Sequence, residues 1–384
     1  MEDAAQWEEG GVTFVARHLP KGLDLGLRNY WYPVLQSADL PEGQPISFKT
    51  LNEDLVAWRD QQGRPRVVRD KCPHRGAKMS TGRVLEGDLQ CAWHGLRFDG
   101  EGRCTLIPWE PTDSSLLKKV GTVGYPAEEL GDWIWAYIGE PDKFAPPPLA
   151  EVVPEELIHP EEFIVFRHSI YRSNHNWLQA IDGNDAFHAV MLHSDSQAVS
   201  DEAWVGGPPR RPQTPLAERR MKIIETPQGL RGIVSDPENK QIHHGHFLDG
   251  WKGDRWTLPG LFSVPIQPTP NAQPYVARVY QFAIDAMHTQ SCRWVAMRAN
   301  TNQDRERCTR LWNEVIAPRQ RKVIQEDLAI LDTLGEVAKT RSEEHLLNAD
   351  RDVVATRKMF ADAWVAQLNG SRPLPTKAAL VVPV

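Results

Sequence analysis

The chain has 384 residues, 41% of them hydrophobic and 25% charged, with 44 basic against 51 acidic side chains and a net charge of −7. Usage this ordinary excludes a disordered, collagen-like or coiled-coil chain, and the length leaves room for two domains. The acidic balance argues against a broad nucleic-acid-binding face, and five cysteines are too few for a disulfide framework.

The first residues, MEDAAQWEEGG, lack the basic-then-apolar layout of a signal peptide. The longest uncharged window, Trp256–Ala277, holds five prolines and cannot span a membrane as a helix. The expectation is therefore a soluble, cytoplasmic protein. Between residues 30 and 140 short strands alternate with turn signals. Leu55–Arg59 and Arg66–Arg69 flank Asp60-Gln-Gln-Gly63, a hairpin pattern, and Leu89–Trp93 and Leu96–Phe98 lead into Asp99-Gly-Glu-Gly102. Trp133–Ile138 is rich in aromatic and β-branched residues and predicts a strand. The run Pro141-Asp-Lys-Phe-Ala-Pro-Pro-Pro148 resists helix and sheet alike and marks a boundary between domains 1–150 and 151–384. Beyond it, Phe163–Tyr171 predicts a strand, Asn176–Leu192 a mostly helical stretch, Gly206–Pro212 a loop, 221–300 several strands, and Asp304–Gly335 a long helix. Val353, Met359, Phe360, Trp364 and Leu368 recur at helical spacing before Asn369-Gly370, which predicts a last helix docked on its own domain. The fold class is α+β.

The first chemical signal is Cys72-Pro-His74-Arg-Gly76 followed by Cys91-Ala-Trp-His94-Gly95, a C-x-H-x16-C-x2-H pattern with each pair at a predicted turn. Two loops, each giving one thiolate and one imidazole, can pinch a two-iron, two-sulfur cluster with both cysteines on one iron and both histidines on the other. The competing reading is a Cys2His2 zinc site, which ordinarily keeps each ligand type together and spaces ligands by two or more residues. Cys104, Cys292 and Cys308 have no ligand-spaced partner and read as buried thiols.

The second signal is Asp185-Ala-Phe-His188-Ala-Val-Met-Leu-His193. Asp185 and His188 share a helix face, whereas His188 and His193 stand about 140° apart on an ideal helix. Both can reach one metal only across a local widening or a helix end. A carboxylate from elsewhere would complete a facial triad with open positions; Asp327, in Gln325-Glu-Asp-Leu-Ala, is the choice, with Asp182 and Glu326 as the other carboxylates able to take its place.

With these pieces in this order the chain resembles the Rieske non-haem iron oxygenases, the terminal oxygenase α subunits. Arg28-Asn-Tyr-Trp-Tyr-Pro33 and the short length look most similar to the carbazole 1,9a-dioxygenase branch, which works as a homotrimer without a β subunit. The resemblance implies that Cys72, His74, Cys91 and His94 bind a 2Fe-2S cluster in a β-rich domain. It implies that His188, His193 and Asp327 bind a mononuclear ferrous ion in a larger domain of antiparallel sheet and helices. Asp185 would bridge His188 to His94 of a neighbouring subunit and so pass electrons. The implied activity is dioxygenation of carbazole or a similar fused aromatic; a Rieske monooxygenase or O-demethylase is the same-class alternative, and a zinc-stabilised binding protein the different-class one. Related chains often carry Glu five residues after the Asp ligand, where this chain has Asp332.

Gly183 can let a substrate approach the backbone and offer its carbonyl to a ring N–H, or it can serve helix packing. His243-His-Gly-His246 reads as a solvated loop, His168 and His175 as satisfied core residues, and Lys118-Lys119 as a solvated pair able to help dock an acidic ferredoxin. Asp99-Gly-Glu-Gly-Arg-Cys-Thr105 lacks the last glycine and the strand-to-helix context of a dinucleotide loop. Electrons are therefore expected from separate proteins, a ferredoxin and its NAD(P)H-dependent reductase.

Overall fold

The computed structural model describes residues 6–9, 12–15, 19–185, 188, 192–193, 220–226, 229–235, 241–243, 256–266, 273–347 and 350–371. The chain divides into a smaller unit, Leu25–Glu151 with Ala283–Ala286, and a larger one, Met1–Asp24, Val152–Phe282 and Met287–Val384. The main division follows the proline run. Two short exchanges have local causes. The carbonyls of Leu23 and Asp24 accept from the Trp177 indole (3.1 Å) and the Asn176 amide (2.8 Å) of the larger unit. The carbonyls of Ala283 and Ile284 accept from the backbone N–H groups of Leu51 (2.9 Å) and Asn52 (2.8 Å) in the smaller one. Among the described residues no helix is long and apolar enough to cross a membrane.

An N-terminal hairpin pairs β1 (Gln6–Glu9) with β2 (Val12–Val15). The smaller unit is built from β3 (Tyr30–Gln36), β4 (Ile46–Thr50), β5 (Glu53–Arg59), β6 (Pro65–Arg69), β7 (Arg83–Leu85), β8 (Asp88–Gln90), β9 (Arg97–Phe98), β10 (Cys104–Leu106), β11 (Gly124–Tyr125), β12 (Ala127–Leu130) and β13 (Trp133–Ile138). They form three sheets, ordered β12-β13-β3, β11-β6-β5-β4 and β10-β9-β8-β7. All six residues of β13 are buried, as its unbroken apolar run requires. Two hairpins turn on the same five-residue device. Asp60 Oδ1 accepts from the N–H groups of Gln62 and Arg64, with Gly63 at φ 74°. Asp99 Oδ1 accepts from those of Glu101 and Arg103, with Gly102 at φ 80°. A short acidic side chain that satisfies its own turn, and a glycine free to go left-handed, make both reversals. The stretch Asp99–Thr105 is thus a hairpin. The strand expected over Leu89–Trp93 stops at Gln90, because residues 91–95 form a loop with its own hydrogen bonds.

The larger unit carries β14 (Phe163–Arg167), β15 (Tyr171–Ser173), β16 (Arg220–Thr226), β17 (Gly229–Ser235), β18 (Gln241–His243), β19 (Trp256–Thr257), β20 (Leu261–Ile266), β21 (Tyr275–Ala283) and β22 (Thr289–Arg298). They make one antiparallel nine-stranded sheet along β14-β22-β21-β20-β19-β17-β16, with β15 also on β22 and β18 on β17. The strand expected over Phe163–Tyr171 is two strands, interrupted at residues 168–170. One turn, α1 (Leu149–Val152), precedes the sheet; α2 (Trp177–Asp182) follows β15. After β22 come α3 (Asn302–Leu311), a π-turn over Trp312–Ile316, α4 (Ala317–Leu331), α5 (Val337–Glu343) and α6 (Arg351–Leu368). The long helix expected over Asp304–Gly335 thus runs from Asn302 to Leu331 and widens just before Pro318, whose ring would collide with an ordinary turn and which has no N–H to give. The last helix does dock on its own unit: Phe360 is fully buried, edge-on to Trp177 and Trp256. Leu368, expected in that stripe, is exposed. His243 lies on β18; the loop at 206–212 and His246 lie outside the described residues.

Candidate metal centres

Cys72-Pro-His-Arg-Gly76 and Cys91-Ala-Trp-His-Gly95 are one turn made twice. In each, the cysteine N–H donates to the carbonyl five residues on, Ala77 at 2.8 Å and Leu96 at 2.9 Å. In each, the closing glycine N–H returns to the cysteine carbonyl, at 2.9 and 3.1 Å. Gly76 (φ 77°) and Gly95 (φ 76°) both sit in the left-handed region, which explains a glycine as fifth residue of each. Only the histidine differs, third in one loop and fourth in the other, and that is why the ligand spacings differ. Cys72 and Cys91 are 3% and 2% exposed and belong to a core with Val56, Met79 and Phe98. His74 is exposed and His94 partly so, their ring centres 4.6 Å apart. Two thiols inside and two imidazoles outside suit a 2Fe-2S cluster whose histidine-bound iron faces outward. Burial, with Cys91 beside it, pushes the free Cys72 thiol up to about 11, so the thiolate this cluster needs is one the iron itself must hold. Lys118 and Lys119 end an exposed 3-10 turn in the same unit.

In the larger unit one ligand atom each from His188, His193 and Asp327 lies within 4.8 Å of the others. Nε2 of His193 is 2.9 Å and Nε2 of His188 3.6 Å from the same oxygen, Asp327 Oδ1. Both other ring nitrogens are occupied: Nδ1 of His193 lies 2.8 Å from Glu326 Oε2, and Nδ1 of His188 lies 3.1 Å from the backbone carbonyl oxygen of Asp185 and 3.2 Å from its Oδ2. Asp185 Oδ1 also accepts the His188 backbone N–H at 2.8 Å. The Glu326 carboxylate at one ring and the Asp185 carbonyl and carboxylate at the other fix each tautomer and aim each Nε2 inward. His188 is helical, and His193 is a turn residue directly after the helical Leu192, so the distant pair converges at a helix end. Burial alone would discharge both imidazoles. The hydrogen bonds and charges of Asp185 and Asp327 outweigh it and hold His188 up at about 10; Asp327 and Glu326 raise His193 likewise. Burial pushes Asp327 up, but the two histidines and the charge of Arg293 bring it down to about 2. A two-nitrogen, one-oxygen set with both outer nitrogens fixed fits ferrous iron with positions left open.

The remaining acids are committed elsewhere. Asp182 is held by Arg341 of α5 (3.1 Å) and Arg357 of α6 (2.8 Å), and Arg357 also pairs with Glu344. Asp332 accepts from the Asn174 N–H and lies 2.8 Å from His175 Nδ1, which fills the core role expected of His175. His168 is buried with Nε2 3.0 Å from Gln320. Glu326 is placed as the orienting partner of His193. Only its adjacency to Asp327 hinted at this in the sequence. Gly183 closes α2, and a Cβ there would meet Leu331 Cδ2 at 2.8 Å. The packing reading of Gly183 therefore has a direct cause.

A β-rich unit with paired Cys-His loops and a second unit with two histidines and a carboxylate under an antiparallel sheet are the marks of a Rieske-type non-haem iron oxygenase. The comparisons agree. Residues 30–121 match the Rieske 2Fe-2S domain, and residues 137–366 match the homotrimeric ring hydroxylases. The chain belongs to the homotrimeric ring hydroxylases, oxygenases that use a Rieske cluster and a mononuclear iron. It is 27% identical over 397 residues to the phthalate 4,5-dioxygenase oxygenase subunit of Pseudomonas putida, covering 91% of this chain and 84% of that one. It is 34% identical over 181 residues to the 3-chlorobenzoate-3,4-dioxygenase oxygenase subunit of Comamonas testosteroni, 45% of this chain and 40% of that one. It is 37% identical over 143 residues to chlorophyllide a oxygenase of Chlamydomonas reinhardtii, 37% of this chain and 21% of that one. The chain thus spans less than half the length of these last two. Among solved structures, the oxygenase of a carbazole 1,9a-dioxygenase complex with ferredoxin superimposes with TM-score 0.66 at 22% identity over 87% of this chain and 89% of that one. NdmA of Pseudomonas putida CBB5 gives 0.70 at 19% identity over 93% and 96%. At such identities the likeness is one of fold.

Proposed function

We propose that this chain is the terminal oxygenase of a multicomponent system that oxidises an aromatic substrate with dioxygen. The carrying observation is the convergence of His188 Nε2 and His193 Nε2 on one oxygen of Asp327 while Asp185 and Glu326 hold the outer nitrogens. Cys72, His74, Cys91 and His94 hold the 2Fe-2S cluster; His188, His193 and Asp327 hold the iron. When bound, the cluster supplies electrons singly and the iron supplies dioxygen activation. Asp185 orients His188 and accepts a hydrogen bond from His94 of a neighbouring copy, so the working unit is a homotrimer. That trimer operates in the cytoplasm and is reduced by a ferredoxin and its NAD(P)H-dependent reductase.

Carbazole, attacked at the ring carbon beside nitrogen, is the substrate that the Arg28–Pro33 segment puts first. Relatives named for benzoates and phthalate put aromatic acids beside it, and one named as an N-alkylformylase keeps dealkylation within the class. The test is to purify the protein, measure iron and the Rieske electron paramagnetic resonance signal, and analyse products from carbazole and aromatic acids with dioxygen and a reducing system. A colourless protein that holds zinc and oxidises nothing refutes the proposal.

A further inference from the structure

We infer that the guanidinium of Arg293 seats an anionic group, the carboxylate of an aromatic acid, beside the iron site. This rests on the oxygenase reading and narrows its substrate class.

Side chains alternate along β22. Val295, Met297 and Ala299 pack with Cys308, Ile316 and Trp312 of the helical layer, while Ala296 packs with Phe163 and Val276 on the opposite face. Arg293, two before Val295, therefore shares the helix-covered face. Its carbonyl accepts the N–H of His168 (2.9 Å), and the His168 ring reaches Gln320 on α4. Gln320 stands seven residues, about two helical turns, before Asp327. The charge of Arg293 is accordingly felt at Asp327, His168 and His175.

Arg293 is partly buried, and its Nε is sealed from solvent with no acceptor. Among the described residues no carboxylate lies within 4.0 Å of it, Asp327 included. Arg278, Arg341 and Arg357, all deeply buried, each meet a carboxylate. A guanidinium does not discharge, and a sealed N–H donor with no acceptor costs stability until something accepts from it. The side chain retains some accessible surface, so an outside group can reach it. A bound carboxylate would satisfy the fork two-pronged, while the attached ring lies toward the iron ligands.

The test is equilibrium binding by calorimetry to the full-length protein, with benzoate against benzamide, phthalate against phthalamide, and carbazole as the neutral fused ring. The wild type should bind each acid at least about tenfold tighter than its amide, since charge-assisted hydrogen bonds outdo neutral ones. Arg293→Gln should erase that gap, weakening the acid far more than the amide; Arg293→Lys should retain part of it. The gap should persist in metal-free protein, because it does not come from coordination. Equal binding of acid and amide by the wild type, no binding of either acid at millimolar concentration, or a gap that survives Arg293→Gln overturns the inference. Should Arg293→Gln not fold, the wild-type pairs and Arg293→Lys decide. Iron content and carbazole turnover on the same sample judge the oxygenase reading separately.

Discussion

Nδ1 of His193 lies 2.8 Å from Glu326, the residue immediately before the Asp327 that faces the same histidine's other nitrogen. Two neighbouring acids of one helix thus grip one imidazole from both sides, one oriented to bind metal and the other to hold the ring. Glu326→Gln should keep the cluster spectrum and lower iron affinity about 10- to 100-fold, the usual cost of losing such a partner. Iron retained after dialysis against a graded chelator measures it; unchanged retention would assign the orientation of His193 to something else.

Asp185→Asn should keep the cluster and most of the iron, yet slow turnover strongly. The amide preserves shape, loses the charge, and can accept on one oxygen only. Single-turnover mixing of pre-reduced protein with substrate and dioxygen reads the effect as slowed cluster reoxidation. Reoxidation at the wild-type rate would remove Asp185 from the electron path.

Cys91→Ser should abolish the visible Rieske spectrum, since a hydroxyl cannot replace a thiolate on iron, and leave iron at His188, His193 and Asp327. A retained spectrum would mean the cluster is held elsewhere.

Proton coupling follows from the triad's charges. His188 is raised to about 10 without metal, so its contribution to stability is full below its ordinary range near 6.5 and is lost as pH climbs through about 10. Asp327 is lowered to about 2, so its contribution is full above about 4 and is lost as pH falls through about 2. Ferrous iron must displace the His188 proton, so its apparent affinity should rise about tenfold per unit between roughly pH 6 and 8. A pH-independent affinity would mean the site is already deprotonated.

Asp182→Asn should cost about 3 kcal/mol, because Arg341 and Arg357 lose the charge that they share while buried. The melting transition of the larger unit should fall by about 10 °C, with rapid iron loss as a secondary effect.

The two Cys-His loops were legible because two equal turns impose a fixed cysteine-to-glycine spacing, and no packing partner is needed to see it. His188 and His193 were legible only beside that motif. The carboxylates were not separable in one dimension. Asp182, Glu326, Asp327 and Asp332 all lie near the right place, and what sorts them is Arg341, Arg357, His175 and Asn174, brought in by other elements. The widening at Trp312–Ile316 was equally hidden: a proline in a helical pattern marks a disturbance without saying whether the helix stops, kinks or swells.

The clamp on Asp182 also sets an order of events during synthesis. The cluster loops lie in a unit whose sheets are complete by Ile138, with only the turn at Ala283–Ala286 arriving later. The candidate iron site joins residues 188 and 193 to residue 327, and the end of the α2 helix before it is tied down by Arg357. A ribosome that makes the chain from its N-terminus therefore releases every strand of the smaller unit's sheets long before residue 327 can meet residues 188 and 193. Nascent chains stalled after the first unit should already bind the sulfide-bridged pair of irons, whereas the single iron must wait for the last helix.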